Sequence, residues 1–249
     1  MYQKQRLERI LDILKHNGYV TVKYLVSVLD YSNATINRDL NLLEKQKHVK
    51  RTYGGVEYVK KGGVPLAFRY HKMKGAKIKI AKKAAEFICD GDVIFIDGST
   101  TAEYVSNFII DKNNITVITN NMAVVSRLCE YKINVVCLGG QIVEAPTMLG
   151  GEATVEMVEK FRADKMFFSV GALSEDGCVG SSGGYYLMHK AMMRNANEIY
   201  LLADSDKFYE KGKLKRLLCS VGDVDYVISD KTFSEEVIKN NPTTKFIKV

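Results

Sequence analysis

The sequence predicts an α/β protein with two parts: an N-terminal winged helix-turn-helix and a C-terminal Rossmann-like domain built on a mostly parallel sheet. Two patterns predict this fold class. Residues 1–60 are expected to form three short helices followed by a β-hairpin, the order found in a winged helix-turn-helix. From residue 92 onward, continuous apolar runs alternate with helical segments, which is typical of a parallel sheet covered on both faces.

The helices of residues 1–60 are predicted from apolar residues spaced three and four apart. The first spans residues 3–15 and ends at Asn17-Gly18, a common helix stop. Thr21 can cap a short second helix, and Ser32 can cap the third. Two β-prone runs flank Gly54-Gly55, because paired glycines supply the positive φ values of a two-residue turn. The third helix is expected to bury Ile36, Leu40 and Leu43.

In the second domain, buried strands are predicted from runs that lack polar alternation. These runs are DVIFID, ITVIT, INVVCL, KMFFSVG, EIYLLA and DYVISD. Helices are predicted near residues 101–110, 122–131, 186–197 and 234–240. A further helix over 75–88 has its lysines on one side and, on the other, Ile78, Ala81, Ala85 and Ile88.

The composition of the 249 residues excludes several classes of protein. Three prolines, 26% charged and 46% apolar residues are typical of a globular chain. No stretch approaches the ~20 apolar residues that cross a bilayer. The N-terminus lacks the apolar core of a signal peptide, so we expect a cytoplasmic protein without a membrane partner. Five scattered cysteines without a CxxC pair predict reduced, buried thiols and neither disulfides nor a zinc site.

Positive charge is concentrated at the N-terminus. The net charge is +7, and residues 1–60 carry 11 lysines and arginines against 6 acidic residues. A basic surplus in a small unit favours a polyanionic partner. The outer face of the third helix favours DNA, because short polar, amide and guanidinium side chains hydrogen-bond base edges in a major groove.

The predicted DNA-binding residues combine two helix caps, the outer face of the third helix and the cations after it, which are placed for phosphates. They are Thr21, Ser32, Asn33, Thr35, Asn37, Arg38, Asn41, Lys45, Lys50 and Arg51. Lys47 belongs to the same basic stretch. The alternative is an ordinary solvated helix, against which the short turn before it and the hairpin after it both argue.

A second group of polar residues lies where predicted strands end. Asp97-Gly98-Ser99-Thr100-Thr101 follows the first strand and begins a helix, so its N–H groups and hydroxyls suit a phosphate, and Asp97 can order the loop. The next two strands end in Thr119-Asn120-Asn121 and Gly139-Gly140, and parallel sheets bind ligands at such ends. Lys207 would supply a point charge for the phosphate. Taken alone, the DGST turn could be only a capped turn, but three polar strand ends favour a phosphate site.

The N-terminal motifs resemble those of the DeoR family of bacterial repressors. The family pattern has a serine, two variable residues, TIRRDL, and later a basic residue and a Gly-Gly wing. Here it appears as Ser32, residues 35–40 (TINRDL), Arg51 and Gly54-Gly55. Asn37 departs from this pattern, because the family usually has the first arginine of TIRRDL at this position. The departure removes a cation and offers an amide suited to adenine.

The second domain resembles the family's sensor domain in its DGSTT, TNN and LGG turns, its FRADKMFFSVGALSEDG segment and its DSDKF motif. The resemblance implies a fold similar to ribose-5-phosphate isomerase, with a phosphorylated sugar or sugar-like metabolite as effector. Residues 185–190 (YYLMHK) depart from the family, which usually has acidic and basic residues before its Ala-Met pair, here Ala191-Met192.

Three hypotheses follow from these residues. The first is a homo-oligomeric repressor of sugar-metabolism genes that binds double-stranded operator DNA and a phosphorylated sugar. Its domains would be 1–60 for DNA, 61–75 as linker and 76–249 as sensor. The second is a sugar-phosphate isomerase or deaminase with an appended domain, which would need a pair of carboxylates poised for proton transfer. The third is a nucleic-acid-binding module with a purely structural second domain.

Neither a catalytic residue nor a metal or cofactor is predicted. The four histidines lack the spacing of metal ligands. Dinucleotide-binding, P-loop and GxSxG motifs do not occur. These observations favour the regulator over an enzyme.

Overall fold

The computed structural model describes residues 3–45, 48–52, 54–58, 69–70, 72–144, 147–180, 185–209 and 216–249. The chain divides into two compact units, Met1–Lys72 and Met73–Val249. Most of the predicted linker, 61–75, lies outside the described residues, as does Lys47. Within the described ranges, no helix is long and apolar enough to cross a membrane.

The first unit folds as predicted, with one short additional strand. Its described elements are α1 Gln3–Asn17, β1 Tyr19–Thr21, α2 Val22–Leu29, α3 Asn33–Lys45, β2 Val49–Thr52 and β3 Gly55–Tyr58. The strands form an antiparallel sheet in the order β1-β3-β2. Ile36, Leu40 and Leu43 are buried in the core of the unit, which confirms the predicted inner face of α3.

The predicted helix boundaries of this unit are confirmed. Gly18 has a φ of 70° and its N–H donates to the carbonyl of Leu14 over 2.7 Å, which ends α1. Thr21 caps α2, since its hydroxyl accepts from the N–H of Tyr24 at 3.1 Å. The hydroxyl of Ser32 accepts from the N–H of Thr35 at 3.2 Å at the start of α3.

The two glycines of the hairpin have different roles, which corrects the prediction that both lie in its turn. Thr52 pairs with Gly55, so Gly55 already belongs to β3. Gly54 has a φ of 80° and is the glycine that the turn requires. Gly55 is needed for space, because a Cβ atom there would lie 2.2 Å from the hydroxyl of Tyr19 on the neighbouring strand.

The second unit alternates strands and helices along most of its length. The described elements are α4 Lys74–Ala85, β4 Val93–Ile96, α5 Thr100–Glu103, β5 Thr116–Thr119, α6 Met122–Leu128, β6 Asn134–Cys137, β7 Gln141–Glu144, β8 Met148–Gly150, α7 Glu152–Val158, β9 Ala163–Phe168, β10 Ala172–Ser174, β11 Cys178–Gly180, α8 Tyr186–Arg194, β12 Ala196–Ala203, β13 Phe208–Tyr209, β14 Leu217–Ser220, β15 Tyr226–Ser229, α9 Glu235–Asn240 and β16 Lys245–Lys248. A 3₁₀ helix, Tyr104–Phe108, continues α5 over the rest of the predicted helix near 101–110.

The described part of the large sheet has seven strands in the order β16-β15-β12-β9-β4-β5-β6, and all of their pairings are parallel. The six predicted strands are confirmed, and β16 adds a seventh at one edge. The prediction misses β16 because its run KFIK is short and flanked by lysines. β10, β11, β13 and β14 form a separate sheet, and β7 pairs with β8 in a hairpin.

Helices cover both faces of the large sheet, as the uninterrupted apolar runs predict. Along β4, Ile94 and Ile96 belong to the core that also contains Ile80 of α4. Phe95, between them, belongs to the opposite core with Met188 of α8. Successive side chains of a strand point to opposite faces, so an uninterrupted apolar run fills both cores.

The five cysteines are free thiols, but the prediction that they are buried is wrong. Cys89, Cys129 and Cys137 are exposed, and Cys178 and Cys219 are half-buried. Cys137 lies in the apolar run INVVCL, yet this run forms β6, the edge strand of the large sheet. One side of an edge strand has no neighbouring strand, so an apolar run there does not bury every side chain.

A buried ion pair joins α1 to α3. The carboxylate of Asp39, fully buried, accepts hydrogen bonds from Arg6 and, at 3.3 Å, from Gln3. The guanidinium of Arg6 also lies 4.7 Å from the ring centre of Tyr31. The hydrogen bond that Arg6 donates to Asp39 raises the pKa of the guanidinium. Asp39 therefore fixes α3 against α1.

We expect Asp39→Ala to lower the stability of the first unit by about 3 kcal/mol, because it leaves a largely buried guanidinium without its counter-ion. Hydrogen exchange of the α1 and α3 amides in the intact protein measures this loss. Glu8→Ala, on the exposed side of α1, is the matched control and should leave protection unchanged. Equal protection in the two variants would contradict a stabilising role for the pair.

Candidate functional site

The outer face of α3 carries most of the residues predicted to bind DNA. Asn33, Arg38, Asn41 and Lys45 are exposed, and Lys50 is exposed on β2. Thr35, Asn37 and Arg51 are half-buried. Asn33, Asn37, Asn41 and Lys45, spaced four apart, thus share one side of α3, and Arg51 of β2 contacts two of them. Thr21 and Lys50 lie on other elements.

The hydroxyls of this set order the helix starts. Thr21 and Ser32 cap α2 and α3 and stay exposed. The hydroxyl of Thr35 lies 2.9 Å from that of Ser32. These groups fix the turn between the two helices at the surface where the α3 side chains emerge.

Arg51 lies against α3 and contacts two of its amides. Its guanidinium donates to the side-chain oxygen of Asn37 and, at 2.5 Å, to that of Asn41. Its backbone N–H donates to the carboxylate of Glu44 at 2.8 Å. The first strand of the wing is thus tied to the outer face of the recognition helix, an arrangement that the sequence does not predict.

The second candidate site lies at the carboxyl ends of neighbouring strands, as predicted. β4, β5 and β6 are adjacent in the sheet, and residues 97–101 and 119–121 are all buried. The amide of Asn121 donates to Glu103 at 2.9 Å and so connects the two loops. Gly139 and Gly140, after β6, are exposed.

Asp97 orders its own loop, which confirms that expectation. One carboxylate oxygen accepts from the N–H and the hydroxyl of Ser99, at 3.0 and 2.5 Å. The other accepts from the N–H of Ser169 at 3.4 Å and lies 3.0 Å from Nε2 of His189. Ser99 in turn caps α5 by accepting from the N–H of Ala102 at 3.2 Å.

Two lysines approach the hydroxyls of this loop. Lys207 donates to Ser169 at 2.6 Å and to Thr101 at 3.4 Å. Lys77, on α4, donates to Thr100 at 3.0 Å and is buried. Two ammonium groups therefore lie beside three hydroxyls at the end of the sheet.

Lys77 corrects the prediction that the lysines of this helix lie on its outer side. It occupies the inner face with Ile80, Ala81 and Ala84, while Ile78 is half-buried. The spacing of Lys77 from Ile80, Ala81 and Ala84 is the available signal, since residues three, four and seven apart share a helix face.

The asparagines after β5 have separate tasks. Asn121 caps α6 by accepting from the N–H of Ala123 at 2.8 Å. Thr119 accepts from the N–H of Asn121 at 3.0 Å. Asn120 donates to the carbonyl of Leu149 at 2.7 Å, and among the described residues its buried side-chain oxygen has no partner. Asn120 is thus the one of these three with an acceptor available to a ligand.

Gly140 has a packing role whatever its part in binding. Its φ is 135°, and a Cβ atom there would lie 2.1 Å from the hydroxyl of Thr154 and 2.5 Å from the carbonyl oxygen of Gly150. The carbonyl of Gly139 accepts from the same hydroxyl at 2.5 Å. Gly140 therefore lets α7 and β8 approach the end of β6, whereas a Cβ atom at Gly139 would meet no neighbour within 4 Å.

His189 is a site residue that sequence reasoning misses. Its Nε2 must carry the proton that it shares with Asp97, because a carboxylate can only accept. Within the described ranges the other ring nitrogen, Nδ1, is also buried and has no partner. His189 lies in the segment 185–190 that departs from the family pattern, and that departure is the available signal.

Met148 covers the loop after β4. Its side chain is buried against Gly98, where a Cβ atom would lie 2.5 Å from the methionine methyl carbon. Its sulfur accepts from the hydroxyl of Tyr185 at 3.6 Å. The hairpin of β7 and β8 thus closes over the polar strand ends, which the sequence does not predict.

Asp204 adds a carboxylate to the same cluster. It is buried after β12, and one of its oxygens lies 3.9 Å from Nζ of Lys207 with no hydrogen bond from the described residues. Burial raises the pKa of this carboxyl, and Lys207 opposes that effect. Desolvated acceptors of this kind can bind the hydroxyl groups of a ligand.

The polar groups at the strand ends form one site with two kinds of side chain: cations beside hydroxyls, and buried polar atoms that have no partner among the described residues. Lys77, Lys207 and the loop hydroxyls can hold a phosphate, whose negative charge the two ammonium groups would offset. Asp204 and Asn120 each supply an acceptor for a hydroxyl, and Nδ1 of His189 is a further buried polar atom without a partner among the described residues. The geometry therefore suits a small phosphorylated molecule with several hydroxyl groups.

Two family models match the chain in succession. A DeoR-like helix-turn-helix domain matches residues 6–62, and a DeoR C terminal sensor domain matches residues 72–231. The chain is 30% identical over 233 residues to the glycerol-3-phosphate regulon repressor of Escherichia coli, covering 92% of each chain. It is 34% identical over 215 residues to the lactose phosphotransferase system repressor of Lactococcus lactis, covering 84% of each. Ribose 5-phosphate isomerase from Plasmodium falciparum matches 57% of this chain and 55% of its own, with a TM-score of 0.42 and 13% identity.

We expect Asp204→Asn to raise the melting temperature of the ligand-free protein at pH 7. The folded state raises the pKa of Asp204, so its ionised form costs stability above the pKa of the unfolded chain, and an amide removes this cost. The gain should shrink as the pH falls through the folded-state pKa, because the wild-type carboxyl is then neutral. Thermal unfolding across pH measures both effects, with exposed Asp111→Asn as control. A pH-independent loss of stability in Asp204→Asn would contradict this explanation.

Proposed function

Because this chain belongs to the DeoR family of transcriptional regulators, we propose that it represses sugar-metabolism genes by binding operator DNA and that a phosphorylated sugar controls it. The observation that carries the proposal is the pairing of Lys77 and Lys207 with the hydroxyls of the DGSTT loop. Two of its relatives are repressors, of a glycerol-3-phosphate regulon and of a lactose phosphotransferase system. They support the class of function and leave the individual effector open.

The DNA-binding half of the proposal is supported by the chemistry of α3. Amides and a guanidinium on one exposed helix face match the donors and acceptors of base edges. Lys45 and Lys50 flank this face as cations for phosphates. We propose Thr21, Ser32, Asn33, Thr35, Asn37, Arg38, Asn41, Lys45, Lys50 and Arg51 as its contact residues.

The effector half is supported by the charges at the strand ends. The cluster holds two cations beside hydroxyls and a loop of closely spaced N–H groups. We add Lys77 and His189 to the proposed effector-binding residues. The sequence-based set is Asp97, Gly98, Ser99, Thr100, Thr101, Thr119, Asn120, Asn121, Gly139, Gly140 and Lys207.

An effector can release DNA only if it binds the DNA-free form more tightly than the bound form. We propose that the protein acts as a homo-oligomer, since paired operator half-sites require paired reading helices. The effector would then change how the reading helices are presented to the two half-sites.

We further propose that the second unit is not an enzyme. Asp97 accepts hydrogen bonds from Ser99 and Ser169 and pairs with His189, so it orders the site. An isomerase needs a pair of carboxylates poised for proton transfer, and with Asp97 engaged in this way Asp204 is left without such a partner carboxylate at the strand ends described above. Turnover of phosphosugars by the purified protein would contradict this.

We expect one or more phosphosugars from a screen to raise the melting temperature, while the matched unphosphorylated sugars do not. Lys77→Met and Lys207→Met should each weaken binding about 10- to 100-fold, the effect of one charged hydrogen bond. Lys79→Met, exposed on the same helix, should bind like the wild type. Equal stabilisation by phosphorylated and unphosphorylated sugars would contradict a phosphate site.

We expect the intact protein to retard a fragment of its own upstream DNA in the presence of excess competitor DNA. Affinity should fall as salt rises, because binding releases counterions from the phosphates. Arg38→Ala on the outer face of α3 should weaken binding, whereas Lys79→Met in the second unit should not. If no upstream fragment binds in a competitor-resistant way, the proposed function is wrong.

A further inference from the structure

The outer face of α3 contains a guanidinium held by two amides. Arg51 comes from β2, yet its two terminal nitrogens donate to Asn37 and Asn41, one turn apart on the recognition helix. A third contact, from the backbone N–H of Arg51 to Glu44, fixes the strand beside the helix. The guanidinium is therefore held in place before any DNA is bound.

The chemistry of these contacts determines which way the amides face. A guanidinium has only donors, so the atom of each asparagine that meets Arg51 must be its oxygen. The amide nitrogen of Asn37 then faces the previous turn. There it donates to the backbone and side-chain oxygens of Asn33, at 2.8 and 2.6 Å. Both N–H groups of Asn37 and its oxygen are thus engaged within the protein.

An asparagine that reads adenine needs both ends of its amide. It donates to N7 and accepts from the N6 amino group of the same base. Asn37 could do so only by giving up its bonds to Asn33. The expectation that its amide suits adenine therefore does not agree with the folded helix.

Guanine has the opposite requirement, because its N7 and O6 are both acceptors in the major groove. Arg51 has five N–H groups and uses two of them on the asparagines, which leaves donors for a base. Asn41 also keeps its amide N–H groups, since its oxygen meets Arg51. Arg51 and Asn41 thus present donors on this surface, while both N–H groups of Asn37 are engaged by Asn33.

We propose that Arg51 reads a guanine in the operator and that Asn37 and Asn41 are positioning residues that hold its guanidinium. Position 37 has asparagine where the family usually has arginine, and the guanidinium of Arg51, from the hairpin, lies beside it instead. The inference rests on the proposed DNA-binding function and assigns to Arg51 a base contact in place of the phosphate contact that the sequence predicts.

The test begins with duplexes that the intact protein enriches from a randomised pool. Each guanine of an enriched duplex is replaced in turn by 7-deazaguanine, which lacks the N7 acceptor, and by inosine, which keeps N7 and O6. We expect one guanine per half-site at which 7-deazaguanine weakens wild-type binding roughly tenfold or more and inosine does not.

Three variants separate base reading from charge. Arg51→Met removes the donors of this side chain, so it should bind the parent and 7-deazaguanine duplexes alike. Asn37→Ala should reduce the ratio between the affinities for the parent and 7-deazaguanine duplexes, because the guanidinium loses one of the two amides that hold it. Lys50 is exposed on the same strand as Arg51. Lys50→Ala should weaken binding to all duplexes equally and leave the ratio between the parent and 7-deazaguanine affinities unchanged. Each result is a ratio within one protein, so partial unfolding of a variant does not change it.

Enriched duplexes that tolerate 7-deazaguanine at every position would overturn this inference alone. Wild-type discrimination retained by Arg51→Met would also overturn it. A pool from which no duplex is enriched would overturn the proposed function, and this inference with it.

Discussion

The carboxylate of Asp97 is the interaction on which the second unit's polar site depends. Its two oxygens accept from the loop of its own strand, from the N–H of Ser169 after β9, and from the ring of His189 on α8. A carboxylate offers acceptors only, so segments that are distant in the sequence must all turn donors toward it. The loop hydroxyls, and through Ser169 the ammonium of Lys207, take their positions from this one group.

Both units hold polar side chains ready for a partner by bonding them to each other. In the first, Arg51 rests on Asn37 and Asn41; in the second, Lys207 rests on Thr101 and Ser169. Fixing long side chains in advance lowers the conformational entropy lost on binding. A buried acceptor with no partner among the described residues, as at Asn120, favours a ligand that completes it.

Much of the fold could be predicted because its signals are local. Uninterrupted apolar runs identified six strands, and the strand-end loops followed, since parallel strands end at one edge of a sheet. The features missed depend on contacts between distant residues. Lys77 is buried because Thr100 accepts from it, and the amide of Asn37 is turned by an arginine fourteen residues later. Apolar periodicity carries no information about such pairs.

The strand order also has a consequence for how the chain folds during synthesis. The sheet pairings and core contacts of the N-terminal helices and hairpin lie within the first 58 residues, so this part can fold while the ribosome is still making the rest. β4 is different, because its second neighbour β9 begins about seventy residues later, at Ala163. Until β9 emerges, β4 exposes one edge of hydrogen-bonding groups. The first strand of the large sheet to be made therefore gains its second neighbour only after β5 and β6 have been made.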